Sequence, residues 1–294
     1  MIVERKKTLF PSVPDQHKVG KPLIPNGFGV IYVLFTTVYL FSVYFMGIVD
    51  SSNNVSAPLT LAVCILFGGF MGLLDDWIDL KWRIKAFMPL IAALPLIYFA
   101  TASGLRTSIA LPLIGLLQFN EVYYFLIIPL IVMIVTNTVN QLGGLNGLET
   151  ICPAIVLTGL MILSSSYLLM MGPILIWLIL AYFNFQGKIF VGNTGSFAIG
   201  MTIASFAIIA DLKLSLIISI LPFVFNSILI LLTIFLLKKR ANVTFNGSTL
   251  YSKHRRSLVT LITYRRSLTE RKVVVIISLI MVVFTVIAAF LEVL

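Results

Sequence analysis

Three aspartates at the end of an apolar run are costly unless a cation meets them. The segment LLDDWIDLKWRIK, residues 73–85, places Asp75, Asp76 and Asp79 there, and Lys81, Arg83 and Lys85 come directly after. If the helix continues, Asp75 and Asp79 stand four apart on one face, with Asp76 three before Asp79. Carboxylates so close repel each other, and near a bilayer they call for a cation or a bound metal. Hard divalent cations such as Mg²⁺ take oxygen ligands and keep waters and substrate phosphates as well. A solvated helix end with internal salt bridges is the plainer reading of the same residues.

Three further clusters carry chemistry. TNTVNQLGGLNGLET, residues 136–150, has three Asn, three Gly and no charge before Glu149. Amides and backbone N–H groups that approach closely suit a neutral ring such as a nucleobase; helix capping is the alternative. GKIFVGNTGSF, residues 187–197, looks like a phosphate-contacting turn opening a helix, whose N-terminus favours anions. It lacks the GxxxxGK[ST] spacing of a P-loop. YSKHRRSL, residues 251–258, offers Lys253, His254, Arg255 and Arg256 to a pyrophosphate, which Arg binds bidentately. Alone it would read as a basic membrane anchor. Together the four clusters suggest a metal-dependent reaction on a nucleotide diphosphate.

The elements that must hold these clusters are apolar throughout. Of 294 residues, 59% are hydrophobic and 11% charged, with mean hydropathy +1.06. A soluble domain is about 25% charged, so a soluble globule, a disordered chain and a coiled coil are excluded. Two cysteines, Cys64 and Cys152, exclude a disulfide framework. The chain reads as an all-α, polytopic transmembrane helix bundle forming a single domain, 1–294. Apolar runs long enough to span a bilayer fall near 28–49, 58–74, 86–103, 122–139, 150–166, 169–185, 193–210, 214–237 and 273–294. With the N-terminus cytoplasmic, inner segments carry 19 of the 21 Lys and Arg; only Arg106 and Lys213 fall outside. All four clusters then lie on the cytoplasmic face, one of them in the long basic loop 238–272. The outer stretch 107–120 reads as a hairpin or re-entrant piece, and Asn54-Val55-Ser56 is an outer glycosylation sequon.

In this order the motifs resemble the polyprenyl-phosphate N-acetylhexosamine-1-phosphate transferases over nearly the whole chain. DDWIDLKWRIK with MPLIAALPLIYF, TNTVNQLGGLNGLE and KHRRS look like the dolichyl-phosphate N-acetylglucosamine-phosphotransferase branch of eukaryotes and archaea. The bacterial branch has Asp where Gly143 and Asn146 stand here. The resemblance implies transfer of N-acetylglucosamine 1-phosphate from UDP-N-acetylglucosamine to a polyprenyl (dolichyl-type) phosphate, releasing UMP. This would be the first membrane step of lipid-linked glycan assembly for protein N-glycosylation. It implies Mg²⁺, with Mn²⁺ as a substitute, membrane lipid, no nucleic acid, and a homodimer. By motif position, Asp75 and Asp76 would be the catalytic acidic pair and Lys85 would neutralise phosphate charge. Asn140 and Asn193 would hold the metal. Gly144 and Asn146 would read uracil with Phe190 stacked on it. Lys253, His254 and Arg255 would hold pyrophosphate and sugar, and Asp79 and Trp82 would shape the sugar site.

Two departures stand out. Asn193 replaces a family Asp that binds the metal, which removes one charge from the site. The family has ten spans against nine here, and residues 15–29 resemble the segment just after the family's first span. Two alternatives stay open within the family: another UDP-N-acetylhexosamine used for cell-envelope glycan, and a form impaired by Asn193. A transporter is disfavoured because no span carries an acid at its centre. The absence of a long inner-loop insertion favours an archaeal cell membrane over the endoplasmic reticulum membrane.

Overall fold

The computed structural model describes residues 10–48, 55–111 and 115–293, and it is mostly helical. The sequon residue Asn54 lies outside the described residues. A short hairpin, β1 (Ser12–Pro14) with β2 (Leu23–Pro25), precedes α1 (Gly29–Phe45). Next comes α2 (Ala57–Ile78), started by Ser56, whose hydroxyl accepts the Leu59 N–H, and by Pro58 in the first turn. α3 (Trp82–Ala92) runs almost without interruption into α4 (Leu94–Ser103), with Pro95 at the joint. β3 (Ser108–Leu111) and β4 (Gly115–Gln118) form the hairpin expected between residues 107 and 120.

A π-helical turn, Tyr123–Ile127, leads into α5 (Ile128–Gln141). α6 (Leu148–Leu163) and α7 (Leu168–Phe185) divide the long apolar stretch at residues 164–167. α8 (Gly192–Ile209) is followed by α9 (Lys213–Ser219) and α10 (Leu221–Leu237), which meet at a 49° bend beside Pro222. Residues 238–272 are not an open loop. They contain β5 (Thr244–Phe245) paired with β6 (Leu250–Tyr251), and α11 (Leu258–Ile262), before α12 (Glu270–Val293). The three small hairpins add to the expected all-α class.

Among the described residues, six helical segments could cross a membrane by length and composition, and the bent α9–α10 pair makes a seventh; α1 and α6 are apolar but shorter. The molecule is therefore a polytopic helical membrane protein.

α8 is its axis. Every residue from Thr194 to Ile208 is buried, against α1, α2, α5 and α6. In lipid, helices gain nothing from hiding apolar surface from each other, so close packing must come from small residues. Here Gly72 of α2 meets the start of α8 so closely that an added Cβ would lie 2.2 Å from Asn193 O. Gly200 of α8 lies likewise against the Thr136 backbone of α5. Tyr32 and Thr202 share a buried 2.7 Å hydroxyl hydrogen bond between α1 and α8.

Candidate active site

α2 stops sooner than a continued helix would. Asp79 takes the left-handed conformation (φ 46°) as C-cap, and its N–H donates to Asp75 O (3.0 Å). Aspartate tolerates this conformation better than most residues. The chain turns back into α3, whose first turn carries Lys85. The Lys85 ammonium lies 2.7 Å from Asp75 Oδ1 and 3.2 Å from Asp79 Oδ1. One cation thus relieves the repulsion that helical continuation would have imposed. The Leu80 N–H also donates to Asp75 Oδ1 (3.0 Å), while Asp75 Oδ2 is buried without a partner. Asp79 is exposed, so its ion pair contributes little.

Asp76 has another task. Its Oδ1 accepts the Asn193 N–H (2.9 Å), and its Oδ2 accepts the Thr194 N–H (2.9 Å) and hydroxyl (2.8 Å). A residue of α2 therefore caps the N-terminus of α8, where N–H groups are free and the dipole favours a negative charge. Asn140 Oδ1 accepts the Ser196 hydroxyl (2.6 Å), which also lies 3.3 Å from Asn193 O. Asp76, Asn140 and Asn193 are thereby gathered around the first turn of α8. Among the described residues, no three His, Cys, Asp or Glu side chains are arranged to hold a metal. Asp76 and Asn140 place hard side-chain oxygens at this turn, the kind of donor that Mg²⁺ takes together with waters and phosphates.

A pocket of about 300 Å³ adjoins this turn, lined by Asp15, Gly144, Asn146, Glu149, Phe190 and Gly192 among others. It brings together the three residues expected at the uracil. Gly192 is the joint between pocket and acid: a Cβ there would lie 2.8 Å from Asp76 Oδ2. Phe190 is held by β2, where its N–H donates to Pro25 O (2.9 Å). Asn184 of α7 sets the glycine loop. Its Oδ1 accepts from Gly147 N–H (2.8 Å) and the Thr150 hydroxyl (3.0 Å), and its Nδ2 donates to Ile189 O (2.9 Å). A second cavity, about 460 Å³, lies between the glycine loop and the basic segment, where Gln16, His17, Gln141, Asn226 and Asn242 share the lining with apolar side chains such as Ile230.

The basic segment has its own partners. Arg255 stacks on the Tyr264 ring at 4.2 Å, and the Ser252 hydroxyl donates to His254 O (2.8 Å). Burial, then the charge of Arg256, lowers the His254 imidazole below its ordinary value. Lys253 is exposed. Asn226 Oδ1 accepts the Leu258 N–H (2.9 Å), docking the segment onto α10. Trp82 is more than half exposed and packs edge-on to Phe235 of α10 at 5.7 Å. The residues missed in sequence are Asp15, Asn184 and Glu270. Asp15 and Glu270 had one visible signal: each is a lone acid within a basic stretch.

Comparison with known proteins identifies the family. A family model described as glycosyl transferase family 4 matches residues 58–211, just over half the chain. A Saccharolobus solfataricus protein named as a putative UDP-N-acetylglucosamine–dolichyl-phosphate N-acetylglucosaminephosphotransferase is 28% identical, covering 99% of this chain and 91% of its own length. The Dictyostelium discoideum protein of that name, without "putative", is 27% identical over 72% of this chain and 62% of its own. A phospho-N-acetylmuramoyl-pentapeptide-transferase of Oceanobacillus iheyensis is 25% identical over 80% and 76%.

Proposed function

The chain belongs to glycosyl transferase family 4, and we propose that it moves N-acetylglucosamine 1-phosphate from UDP-N-acetylglucosamine to a dolichyl-type polyprenyl phosphate. An oxygen of the lipid phosphate attacks the β-phosphorus. The new P–O bond forms as the bond to the α-phosphate breaks, and UMP leaves. The observation that carries this reading is the continuity through Gly192 of a base-sized pocket with the Asp76-capped helix start. Relatives with this named activity, over nearly the whole chain in one case, support it.

Phosphoryl transfer needs positioning and charge neutralisation more than covalent help. The glycine loop and Phe190 take the nucleoside. Lys85, already between two acids, offers its charge to the phosphates. Asp75 Oδ2, buried and without a hydrogen-bond partner, positions the lipid phosphate or takes its last proton. A phosphate monoester has its second pKa near ~6, so little base strength is asked of it. Asp76, Asn140 and Asn193 would hold Mg²⁺, which when bound neutralises pyrophosphate charge. The cavity beside the basic segment, rich in amide side chains, suits the sugar. Apolar faces of α3 and α10, with Trp82 and Phe235 exposed where they meet, suit the polyprenyl chain. The basic end of the bundle would face the cytoplasm of an archaeal cell.

The test is UMP release by the purified chain from UDP-N-acetylglucosamine, dolichyl phosphate and Mg²⁺. Activity is expected in the parent, with about a hundredfold loss in Asp75→Asn. A parent that neither releases UMP nor binds UDP overturns the reading. If UDP binds but only UDP-N-acetylgalactosamine or another N-acetylhexosamine is turned over, the envelope-glycan alternative replaces it.

A further inference from the structure

Asn146 is held in a way that simple packing does not require. It is 4% exposed, and two buried acids from opposite ends of the chain close on it, Asp15 (3%) and Glu270 (8%). Its Nδ2 donates to Asp15 Oδ2 (2.7 Å) and to Glu270 Oε1 (3.1 Å), and its backbone N–H donates to the same Glu270 oxygen (2.8 Å). Lys18 adds a 2.6 Å ion pair to Glu270 Oε2, joining the N-terminal hairpin to α12. Gathering two carboxylates around one neutral amide costs stability. What it achieves is direction. A carboxylate accepts and does not donate. Turning the amide over would set Oδ1 against two acceptors, so the nitrogen must face the acids. Both of its hydrogens are then used, and Oδ1 is left buried with no partner, in a residue that lines the pocket with Gly144 and Phe190.

We propose that Asp15 and Glu270 are positioning residues that fix Asn146 as an acceptor-only reader, so that the pocket selects a pyrimidine presenting a ring N–H. Uracil carries a hydrogen on N3; cytosine carries a lone pair there. Against a locked acceptor, cytosine would face acceptor to acceptor, and a site built for an N–H rejects a base lacking it. This rests on the reading of the pocket as the nucleoside site. It adds why uridine nucleotides are chosen and which residues, outside the glycine loop, enforce the choice.

The experiment measures equilibrium binding of UDP and of CDP to the purified full chain at fixed Mg²⁺, with thermal unfolding alongside. The parent is expected to prefer UDP by at least about tenfold. In the double variant Asp15→Asn/Glu270→Gln the new amides can donate or accept, so the Asn146 amide can turn over. The UDP-to-CDP ratio should then fall by about tenfold, with CDP binding held or improved. If the double variant does not fold, Glu270→Gln and Asp15→Asn are read singly, each with a smaller fall in the ratio. Parallel weakening of both nucleotides, at an unchanged ratio, would mean the acids only hold the fold, and overturns the proposal. A parent that binds neither nucleotide overturns the nucleoside pocket itself. A ratio that shifts as expected in a chain releasing no UMP sustains the inference even if the transferase reading fails.

Discussion

Neighbouring residues on a helix point about 100° apart, and Asp75 and Asp76 use that divergence. Asp75 turns to Lys85 and keeps one buried oxygen free; Asp76 turns to α8 with both oxygens occupied. Asn193 stands in the same capped turn, its backbone N–H held by Asp76; in the proposed reading its side chain would supply an amide oxygen to Mg²⁺. Carboxylate count tunes divalent-cation affinity. Asn193→Asp should therefore lower the Mg²⁺ concentration for half-maximal UMP release by roughly tenfold, read by titrating Mg²⁺ at saturating substrates. An unchanged midpoint would place the cation elsewhere. The 136–150 loop was legible in sequence because its Asn and Gly residues already suit a neutral ring, whereas Phe190 entered only through the family resemblance. Asp15 and Glu270 were not, because a lone acid in a basic stretch carries no spacing. Its partner, Asn146, is distant in the chain and only the fold brings them together.

At the scale of elements, the site exists because α2 and α8 touch without an intervening side chain. Gly72 lies one turn before Asp76, so the contact that admits the α8 backbone also sets the reach of the capping carboxylate. Gly72→Ala would force a methyl to 2.2 Å from Asn193 O. Backbone, not a flexible side chain, would have to move, at a cost of about 1–3 kcal/mol. The expected result is a lower unfolding temperature in detergent together with lost UMP release, because α8 slides off its cap. Stability lost with full activity would show that the cap has slack. The helices themselves track the apolar runs closely, since length and hydropathy decide them. Their ends do not. α2 stops at a left-handed Asp79 that its apolar run does not foretell, and the run 214–237 hides the bend beside Pro222. The strands β1 and β2 are three residues each, too short for any periodicity to mark. The axial place of α8 is written only in its Gly, Ala and Ser residues, which mark close packing but not against which helix.

The whole molecule is polarised. At one end stand the acidic turn, the pocket and the basic segment. At the other, Lys213, 2% exposed, is held 2.6 Å from Asp211, which also pairs with Arg106 at 3.0 Å. The Lys213 ammonium donates to the Arg106 and Ser108 carbonyls as well, tying the β3–β4 hairpin to α9. Arg106 and Lys213 are both used in that lock. The positive-inside rule expects a basic end to face the cytoplasm, and in the proposed reading a nucleotide-sugar would meet the pocket from that side. The chain is well suited to a direct test, because its two cysteines, Cys64 and Cys152, are buried. A cysteine at exposed Leu116 on the hairpin should react with a membrane-impermeant maleimide added to intact cells. One at exposed Lys239, beside the basic segment, should react only after the membrane is opened. The reverse pattern would put the pocket outside, away from any cytoplasmic UDP-sugar. The charge bias would then have to be explained by the phosphates it binds rather than by topology.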